Sequence, residues 1–272
     1  MQTLAEIRSM LSERGLAPRK RLGQNFLTDH NLIRKLVDTS GVGAGDLVLE
    51  VGPGTGTLTD ELLARGASVV ASELDAGLAE LLRDRFAGSD GFTLIEGDCL
   101  DGSRRVAPAI LGALAGRRYT LVANLPYGAA TPLMLVLLTD PGCRGQFVTI
   151  QREVADRLLA GPGSKAYGSV SVAMQVLARV ERIATLPPGC FWPQPEVTSA
   201  MVSIVPAEPP LGLEAAGFLA FCQRVFAGRR KQLGTVLGDG DWPEGVSRRD
   251  RAESLSPAQV VELWTRRGEA VG

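Results

Sequence analysis

Short apolar runs alternate with amphipathic stretches from residue 46 onward. The strand candidates, rich in Val, Ile and Leu, are residues 47–51, 68–72, 92–95, 119–123, 147–151, 179–186 and 198–205. Between the first five lie helical patterns such as residues 75–86, in which Leu78, Leu81, Leu82 and Phe86 share one face. Strands that alternate with helices indicate βαβ units and therefore predict an α/β fold with a mostly parallel sheet of seven strands.

The last two strand candidates have no helical pattern between them. A proline-rich turn at residues 187–195 separates them, so we expect a terminal antiparallel hairpin at the sheet edge. Residues 206–212 are also rich in proline and predict a linker. Helical patterns follow at 214–227 and 257–267. The sequence therefore predicts a sheet domain at 1–205, with a helical lead-in at 1–45, and a small helical domain at 206–272.

Composition narrows the class of protein. The chain is 45% hydrophobic and 22% charged, as in ordinary soluble domains. It has no run of about 18 apolar residues and no apolar segment near its charged N-terminus, so we expect neither a membrane span nor a signal peptide. Four widely separated cysteines argue against disulfides and structural zinc and favour a cytoplasmic location. Since His30 is the single histidine, we expect no metal site.

The formal net charge is −1, whereas proteins that bind nucleic acids are usually basic. Local clusters of basic residues can still bind nucleic acid in a chain with this net charge. Three compact basic groups stand out: Arg19-Lys20-Arg21, Arg229-Arg230-Lys231, and Arg248-Arg249 with Arg251. Each group is either a contact for nucleic acid or a solvated surface.

A glycine-rich turn, Gly52-Pro-Gly-Thr-Gly56, joins the first strand to a helical stretch. Residues without side chains let a ligand approach the backbone at the start of a helix. The spacing G-x-G-x-G differs from the G-x-G-x-x-G of dinucleotide binders. Glu50, just before the turn, is typical of methyltransferases. We therefore predict that Glu50, Gly52, Gly54 and Gly56 bind S-adenosylmethionine.

Two carboxylates follow the next two strands. Glu73 stands 21 positions after Gly52, where a carboxylate can accept hydrogen bonds from ribose hydroxyls. Asp98 stands where we expect the amino group of the cofactor's adenine. A flavin or NAD site is the alternative interpretation of the glycine turn. Carboxylates after successive strands favour the methyltransferase.

The tetrapeptide Asn124-Leu-Pro-Tyr127, directly after the fourth strand, predicts a catalytic site. The Asn124 side-chain oxygen and the Leu125 carbonyl can accept the two N–H bonds of an adenine amino group, which directs the nitrogen lone pair at a sulfonium methyl. Pro126 restricts Leu125 to an extended shape that aims this carbonyl inward. The Tyr127 ring can stack on the base and stabilise positive charge, whereas its hydroxyl has no assigned role. The alternative is a strand-to-turn transition with a buried tyrosine.

Taken together, these motifs resemble those of the small-subunit ribosomal RNA adenine dimethyltransferases over nearly the whole chain. The matching stretches are residues 22–27 (LGQNFL), 50–56 (EVGPGTG), 73–75 (ELD), 96–98 (EGD), 124–127 (NLPY), 162–168 (PGSKAYG), 191–197 (FWPQPEV) and 226–231 (FAGRRK). One departure follows Tyr127, where Gly128-Ala129-Ala130 replaces the family's usual Asn-Ile-Ser.

The resemblance implies a Rossmann-like class I methyltransferase fold in the sheet domain and an RNA-docking role for the helical domain. The cofactor site that it implies comprises Asn25, Leu27, Gly52, Glu73, Asp98 and Asn124. It further implies that Phe191 supplies a second aromatic face for the base. We predict RNA contacts for Arg229, Arg230 and Lys231.

The reaction that the resemblance implies is dimethylation of two adjacent adenosines in the hairpin near the 3′ end of 16S ribosomal RNA, late in subunit assembly. We expect the partner to be 16S rRNA within an immature small subunit, with no membrane or metal involved and with the protein acting as a monomer. One alternative is the related class that dimethylates an adenine in 23S rRNA and confers macrolide resistance. The other is a non-catalytic transcription or assembly factor on the same fold. The basic helical C-terminus favours the small-subunit enzyme, and intact Glu73, Asn124 and Tyr127 favour catalysis.

Overall fold

The computed structural model describes residues 1–208 and 213–267. The helices are α1 (Leu4–Glu13), α2 (His30–Ser40), α3 (Thr57–Ala64), α4 (Ala76–Arg85), α5 (Pro108–Leu114), α6 (Ala130–Leu138), α7 (Arg152–Leu158), α8 (Ser169–Leu177), α9 (Ala215–Ala227), α10 (Leu233–Leu237) and α11 (Pro257–Arg267). The strands are β1 (Phe26–Leu27), β2 (Leu47–Val51), β3 (Ser68–Glu73), β4 (Phe92–Glu96), β5 (Tyr119–Asn124), β6 (Cys143–Gln151), β7 (Ala178–Leu186), β8 (Phe191–Trp192) and β9 (Ser199–Pro206). No helix in these ranges is long and apolar enough to cross a membrane.

Seven of the strands form one sheet in the order β4-β3-β2-β5-β6-β9-β7. Strand β2 pairs in parallel with β3 and with β5, and the pairs β3–β4 and β5–β6 are also parallel. The predicted α/β class and the mostly parallel sheet of seven strands are confirmed. Strands β9 and β7 are neighbours at one edge of the sheet, where the sequence predicts the terminal hairpin.

The central strands β2 and β5 are almost entirely buried because parallel sheets carry helices on both faces. All five residues of β2 are buried, and Val48, Leu49, Leu121 and Val122 have no exposed surface. Burial of each such side chain contributes about 1.5–3 kcal/mol to folding.

The strand order reverses at β2. Successive connections place β3 and β4 on one side of β2, whereas β5 and β6 lie on the other. In open parallel sheets, this reversal opens a crevice at the carboxyl ends of the central strands, and ligands bind there. The glycine turn after β2 and the N-L-P-Y tetrapeptide that begins at the end of β5 are both at this crevice.

Helix boundaries near the crevice follow from local hydrogen bonds. The Asp29 carboxylate accepts bonds from the amides of Asn31 and Leu32 at the start of α2. Asp75 caps α4 in the same way through the amides of Gly77 and Leu78. Such caps satisfy amides that have no partner within the helix. The helix cap therefore stands two residues after Glu73, which fixes the end of β3.

A second, two-stranded sheet was not predicted. Strand β1 pairs antiparallel with β8, with Phe26 opposite Trp192 and Leu27 opposite Phe191. The Phe26 and Trp192 rings are stacked with centroids 6.2 Å apart. Strands of two residues carry no periodicity, which is why the sequence does not reveal them.

The chain divides into two compact units. The first comprises residues 1–152 and 182–203, and the second comprises residues 153–181 together with the described residues from Ile204 onward. In the second unit, α8 packs against α9 and α11. The division differs from the predicted boundary after residue 205, because the second unit also takes in most of α7 and all of α8. Of the predicted linker, residues 209–212 lie outside the described residues.

Candidate active site

A cavity of about 390 Å³ lies at the carboxyl ends of β2, β3 and β5. Its volume is in the range of pockets that hold small molecules. The lining residues come from five segments within 20–26, 51–54, 72–78, 97–99 and 124–129. Most of the predicted cofactor and catalytic residues are thus brought to one place: Asn25, Gly52, Gly54, Glu73, Asp98, Asn124, Pro126 and Tyr127.

The glycine turn gives this cavity its floor. Gly54 has a φ of +63°, and a Cβ there would come within 2.8 Å of the Phe26 ring. A Cβ on Gly52 would lie 3.3 Å from the Pro126 ring. The backbone is therefore bare where it faces the cavity. Gly56 does not line the cavity and precedes α3 as its N-cap.

Glu73 is a buried carboxylate at the wall of the cavity, with 5% of its surface exposed. One oxygen accepts a hydrogen bond from the Asp75 amide at 2.9 Å and the other accepts one from the Gly54 amide at 3.2 Å. Burial raises the pKa of Glu73 to about 7. The hydrogen bonds from the two backbone amides act in the opposite direction and lower this pKa. Each oxygen retains a lone pair, so the ionised carboxylate can accept bonds from a neighbouring diol.

Two further residues line the cavity beside Glu73: Asp98 contributes a polar surface and Leu74 an apolar one. Asp98 is exposed, and its Oδ1 accepts a hydrogen bond from the Leu100 amide at 3.0 Å. Leu74 is 55% exposed and lines the cavity, although it was not predicted as a site residue. A large apolar side chain directly after a strand-end carboxylate is the sequence signal that could have indicated it. Together they suit an aromatic heterocycle with an amino group.

Asn124 has a fixed side-chain orientation. Its Nδ2 donates a hydrogen bond to the Asn25 carbonyl at 2.9 Å, and the Asn25 side chain donates to the Gly23 carbonyl at 3.2 Å. The amide oxygen of Asn124 forms no hydrogen bond with any described residue. Because the nitrogen is held by the backbone of a distant segment, the group left for a ligand is an acceptor.

Backbone hydrogen bonds hold the loop after Asn124 at both of its ends. The Leu125 amide donates to the Thr149 carbonyl at 3.1 Å, and the Ala129 amide donates to the Pro126 carbonyl at 3.1 Å. Helix α6 begins directly afterwards at Ala130. The unusual Gly-Ala-Ala residues therefore still form a closed turn that leads into a helix.

Tyr127 lines the cavity, and its hydroxyl has a buried partner. The Tyr127 oxygen and the Ser199 Oγ are 2.8 Å apart, and Ser199 has no exposed surface. Burial raises the pKa of Tyr127, so the hydroxyl is protonated at neutral pH. The sequence assigned no role to this hydroxyl. A contact between residues 72 positions apart has no local signal in the sequence.

Glu50 and Leu27 are buried behind the glycine turn and do not line the main cavity. They border a small void of about 30 Å³ that also touches Gly52 and Asn124. Glu50 accepts a hydrogen bond from the Thr59 hydroxyl at 2.7 Å, and burial raises its pKa to about 8. The Glu50 carboxyl thus connects β2 to α3. Its role as a direct cofactor contact stays a prediction, as does that of Leu27.

Phe191 is 3% exposed and pairs through its backbone with Leu27 in the small sheet. It does not line the cavity beside Tyr127. A stacking role for Phe191 therefore requires its ring to become exposed when RNA binds, and it stays a prediction.

Gln2 supports the glycine turn from behind and was missed by sequence reasoning. Its Nε2 donates to the Thr55 carbonyl at 2.8 Å, and its Oε1 accepts hydrogen bonds from the Thr55 and Thr57 hydroxyls, each at 2.7 Å. The Gln2 carbonyl in turn lies 2.6 Å from the His30 Nε2. These bonds satisfy a buried amide side chain and fix the turn at its junction with α3.

The basic group at residues 229–231 lies in the second unit and is not uniform. Arg229 forms an ion pair with Glu253 at 3.0 Å and donates to the Lys165 carbonyl at 3.2 Å. Arg230 and Lys231 are exposed and form no ion pair with any described residue. Arg229 therefore has an internal structural function, whereas the other two cations face solvent.

Comparisons with known proteins find sequence relatives that match nearly the whole chain. A family model described as ribosomal RNA adenine dimethylase matches residues 15–266. Ribosomal RNA small subunit methyltransferase A of Moorella thermoacetica is 40% identical, and the match covers 100% of this chain and 93% of the relative. The protein of the same name from Geobacillus thermodenitrificans is 37% identical, with 99% and 92% covered.

Solved structures show the same fold. A dimethyladenosine transferase from Plasmodium falciparum has a TM-score of 0.72 at 20% identity, and the match covers 89% of this chain and 98% of that one. The 23S rRNA methyltransferase ErmE has a TM-score of 0.66 at 24% identity, with 90% and 100% covered. At these identities the likeness concerns the fold, and it confirms the Rossmann-like methyltransferase fold that the resemblance implies.

Proposed function

Since the chain belongs to the ribosomal RNA adenine dimethylase family, we propose that it dimethylates the N6 amino groups of two adjacent adenosines in the 3′-terminal hairpin of 16S rRNA. The methyl donor is S-adenosylmethionine. The substrate is the RNA within an immature small subunit, and the protein acts on it as a cytoplasmic monomer during ribosome biogenesis. Relatives named small subunit methyltransferase A, matched over more than nine-tenths of their length, favour this substrate over 23S rRNA.

The cavity fits S-adenosylmethionine by its donor and acceptor groups. Glu73 offers a carboxylate to the ribose diol, and Asp98 offers one to the adenine amino group. Leu74 gives an apolar surface for the adenine ring, and the bare backbone at Gly52 and Gly54 leaves room for the rest of the molecule. When bound, S-adenosylmethionine supplies a methyl group activated by a sulfonium sulfur.

The observation that carries the proposal is the fixed amide of Asn124. An adenine amino group is a poor nucleophile because its lone pair is delocalised into the ring. The Asn124 oxygen and the Leu125 carbonyl accept its two N–H bonds, which favours a tetrahedral nitrogen with a localised lone pair. The Asn25 carbonyl prevents the Asn124 amide from turning its nitrogen toward the base. An acceptor that is already oriented contributes more to the transition state than one that must reorganise.

Tyr127 holds the base and tolerates developing charge. Its ring lines the cavity directly after the two acceptors, so a base bound to Asn124 can stack on it. The electron-rich face also stabilises the positive charge that builds on the nitrogen during alkylation. Once the nitrogen is alkylated, the proton that it carries is acidic. No strong base is therefore required at Asn124.

Methyl transfer to isolated ribosomal subunits tests this function. Purified protein with labelled S-adenosylmethionine is expected to modify 16S rRNA in small subunits from cells that lack the modification. Asn124→Ala is expected to reduce the rate by about 10²–10³. Asn31→Ala, an exposed change on α2, should retain full activity. Label that enters 23S rRNA instead, or no transfer to small subunits, would contradict the proposal.

A further inference from the structure

A short 3₁₀ turn at Lys20–Leu22 lies at the cavity, against the catalytic loop. It ends at Gly23, whose φ is +66° and whose amide donates to the Lys20 carbonyl at 3.0 Å. A Cβ on Gly23 would be 3.4 Å from the backbone nitrogen of Tyr127. The close approach fixes the turn relative to the residues that receive the base.

Arg19 anchors this turn. Its guanidinium lies 3.1 Å from the carboxylate of Asp75, which is buried at the start of α4. The Arg19 amide also donates to the Gln24 side chain at 2.7 Å, and Gln24 in turn donates to Asp75 at 3.1 Å. The Arg19 side chain is therefore engaged in an internal ion pair with Asp75. Lys20 and Arg21 are the other two cations of the basic group Arg19-Lys20-Arg21.

Lys20 and Arg21 are exposed, line the cavity and form no ion pair with any described residue. The carboxylates that line the same cavity, Glu73 and Asp98, are not among their partners. Two uncompensated cations at this position are notable in a chain whose formal net charge is −1. Their positive charges can attract an anionic group of a ligand that reaches this cavity.

We propose that Lys20 and Arg21 bind the RNA phosphates that flank the target adenosine. This inference rests on the proposed function, because a base can reach Asn124 only if its own backbone comes to the mouth of the cavity. A nucleotide carries a phosphate on each side, and lysine and arginine are the residues that most often contact phosphate in RNA complexes. The two cations therefore position the strand at the reacting nucleotide.

The competing anion is the carboxylate of S-adenosylmethionine itself. The two possibilities differ in what the cations stabilise. Phosphate contacts release counterions, so their loss makes RNA binding less dependent on salt. A contact with the cofactor would change the affinity for S-adenosylmethionine and leave the salt dependence of RNA binding unaltered.

The test compares two double variants of the full chain. K20Q/R21Q removes the cations at the cavity, and R34Q/K35Q removes an exposed pair of the same charge on α2. The measurements are binding of a single-stranded RNA containing the 16S 3′-terminal sequence at several salt concentrations, and calorimetry with S-adenosylmethionine. For K20Q/R21Q, the slope of log affinity against log salt is expected to become shallower by about 0.7 for each lost contact. The affinity for S-adenosylmethionine should stay within about twofold, and R34Q/K35Q should match the wild type in both.

The charge-conserving variant K20R/R21K should retain the wild-type slope, which separates charge from packing. An unchanged slope in K20Q/R21Q would overturn the inference, and so would an equal change in R34Q/K35Q. Tenfold weaker S-adenosylmethionine binding with an unchanged slope would assign the cations to the cofactor. If the wild type shows the expected salt behaviour but transfers no methyl group to small subunits, the proposed function fails while the phosphate contacts stand.

Discussion

Tyr127 and Ser199 illustrate what tertiary structure adds at the scale of single residues. Their side-chain oxygens are 2.8 Å apart, and the Ser199 hydroxyl is fully buried. A ring held at its far end loses less freedom when a base stacks on it, because part of the ordering is done in the folded protein. We therefore propose that Ser199 positions the Tyr127 ring through this hydrogen bond.

We expect Ser199→Ala and Tyr127→Phe to weaken methyl transfer by similar factors, because each removes the same hydrogen bond between the Tyr127 hydroxyl and Ser199. The double variant should be little worse than either single variant, because the shared bond can be lost only once. The measurement is single-turnover methyl transfer to undermethylated small subunits at several RNA concentrations, with the loss expected mainly in RNA affinity. Ser203→Ala on the same strand is the control. Additive effects of the two changes would show that the hydrogen bond does not position the ring.

The positions of residues that belong to a local motif were predictable from the sequence. Glu73 and Asn124 end their strands, Asp98 closely follows β4, and all three line the cavity. Ser199 and Gln2 were not predictable, because their importance comes only from partners that are distant in the chain. No spacing rule in the sequence connects residue 2 to residue 55.

At the scale of elements, the glycine turn and the end of β3 form one hydrogen-bonded assembly around Glu73. The Gly54 amide ties the turn to the Glu73 carboxylate, while Gln2 fixes the turn at Thr55 and Thr57. Burial raises the pKa of Glu73 to about 7, so its protonation state changes near neutral pH. The ionised form accepts hydrogen bonds, and the protonated form loses part of that capacity.

The affinity for S-adenosylmethionine is therefore expected to rise as pH increases through about 7 and to level off above it. The direction follows because binding favours the ionised carboxylate, which is the minor form below the pKa. Between pH 8 and pH 6, affinity should fall by roughly tenfold for a group with a pKa of about 7. Calorimetry over this range measures the effect, and Glu73→Gln should show weaker binding without this pH step. An identical pH profile in wild type and Glu73→Gln would remove the carboxyl from the cofactor site.

Long elements with clear periodicity were predicted almost to their ends. The pattern at 257–267 coincides with α11, and that at 75–86 differs from α4 by one residue at each end. The two-residue strands β1 and β8 were missed, since their pairing depends on partners 164 to 166 positions apart. Short elements of this kind are specified by the packing around them and have no pattern of their own.

At the scale of the whole molecule, the exposed basic groups are distributed over two compact units. In the second unit, Arg229 is bound to Glu253 and to the Lys165 carbonyl, whereas Arg230 and Lys231 are exposed. We propose that residues 206–272 dock on RNA through the two exposed cations.

Neutralising Arg230 and Lys231 together is expected to weaken RNA binding and to flatten its salt dependence by up to about 0.9 log units per contact on duplex RNA. Stability should be unchanged. Arg229→Ala should instead lower the free energy of unfolding by about 1 kcal/mol, since the pair with Glu253 is partly exposed to solvent. Salt titrations of RNA binding and urea unfolding curves separate the two effects. If Arg229→Ala leaves stability unchanged but reduces RNA affinity most, the division of roles is wrong.

The fold class was predictable from the alternation of strands and helices, but the division into units was not. Nearly all of residues 153–181 lie between the strand patterns at 147–151 and 179–186, so the sequence places them with the sheet. The structure assigns them to the second unit because α8 packs against α9 and α11. Periodicity identifies an amphipathic helix without indicating which partner covers its apolar face.

Nucleoside mass spectrometry of the 3′-terminal hairpin shows whether this protein dimethylates 16S rRNA through Asn124. Hairpin RNA is analysed from cells that lack this protein and from the same cells supplied with wild type, Asn124→Ala or the surface control Asn31→Ala. We predict that two N6,N6-dimethyladenosines are absent without the protein. Wild type and Asn31→Ala should restore them, and Asn124→Ala should not. Dimethyladenosine that persists without the protein, or full restoration by Asn124→Ala, would contradict the account.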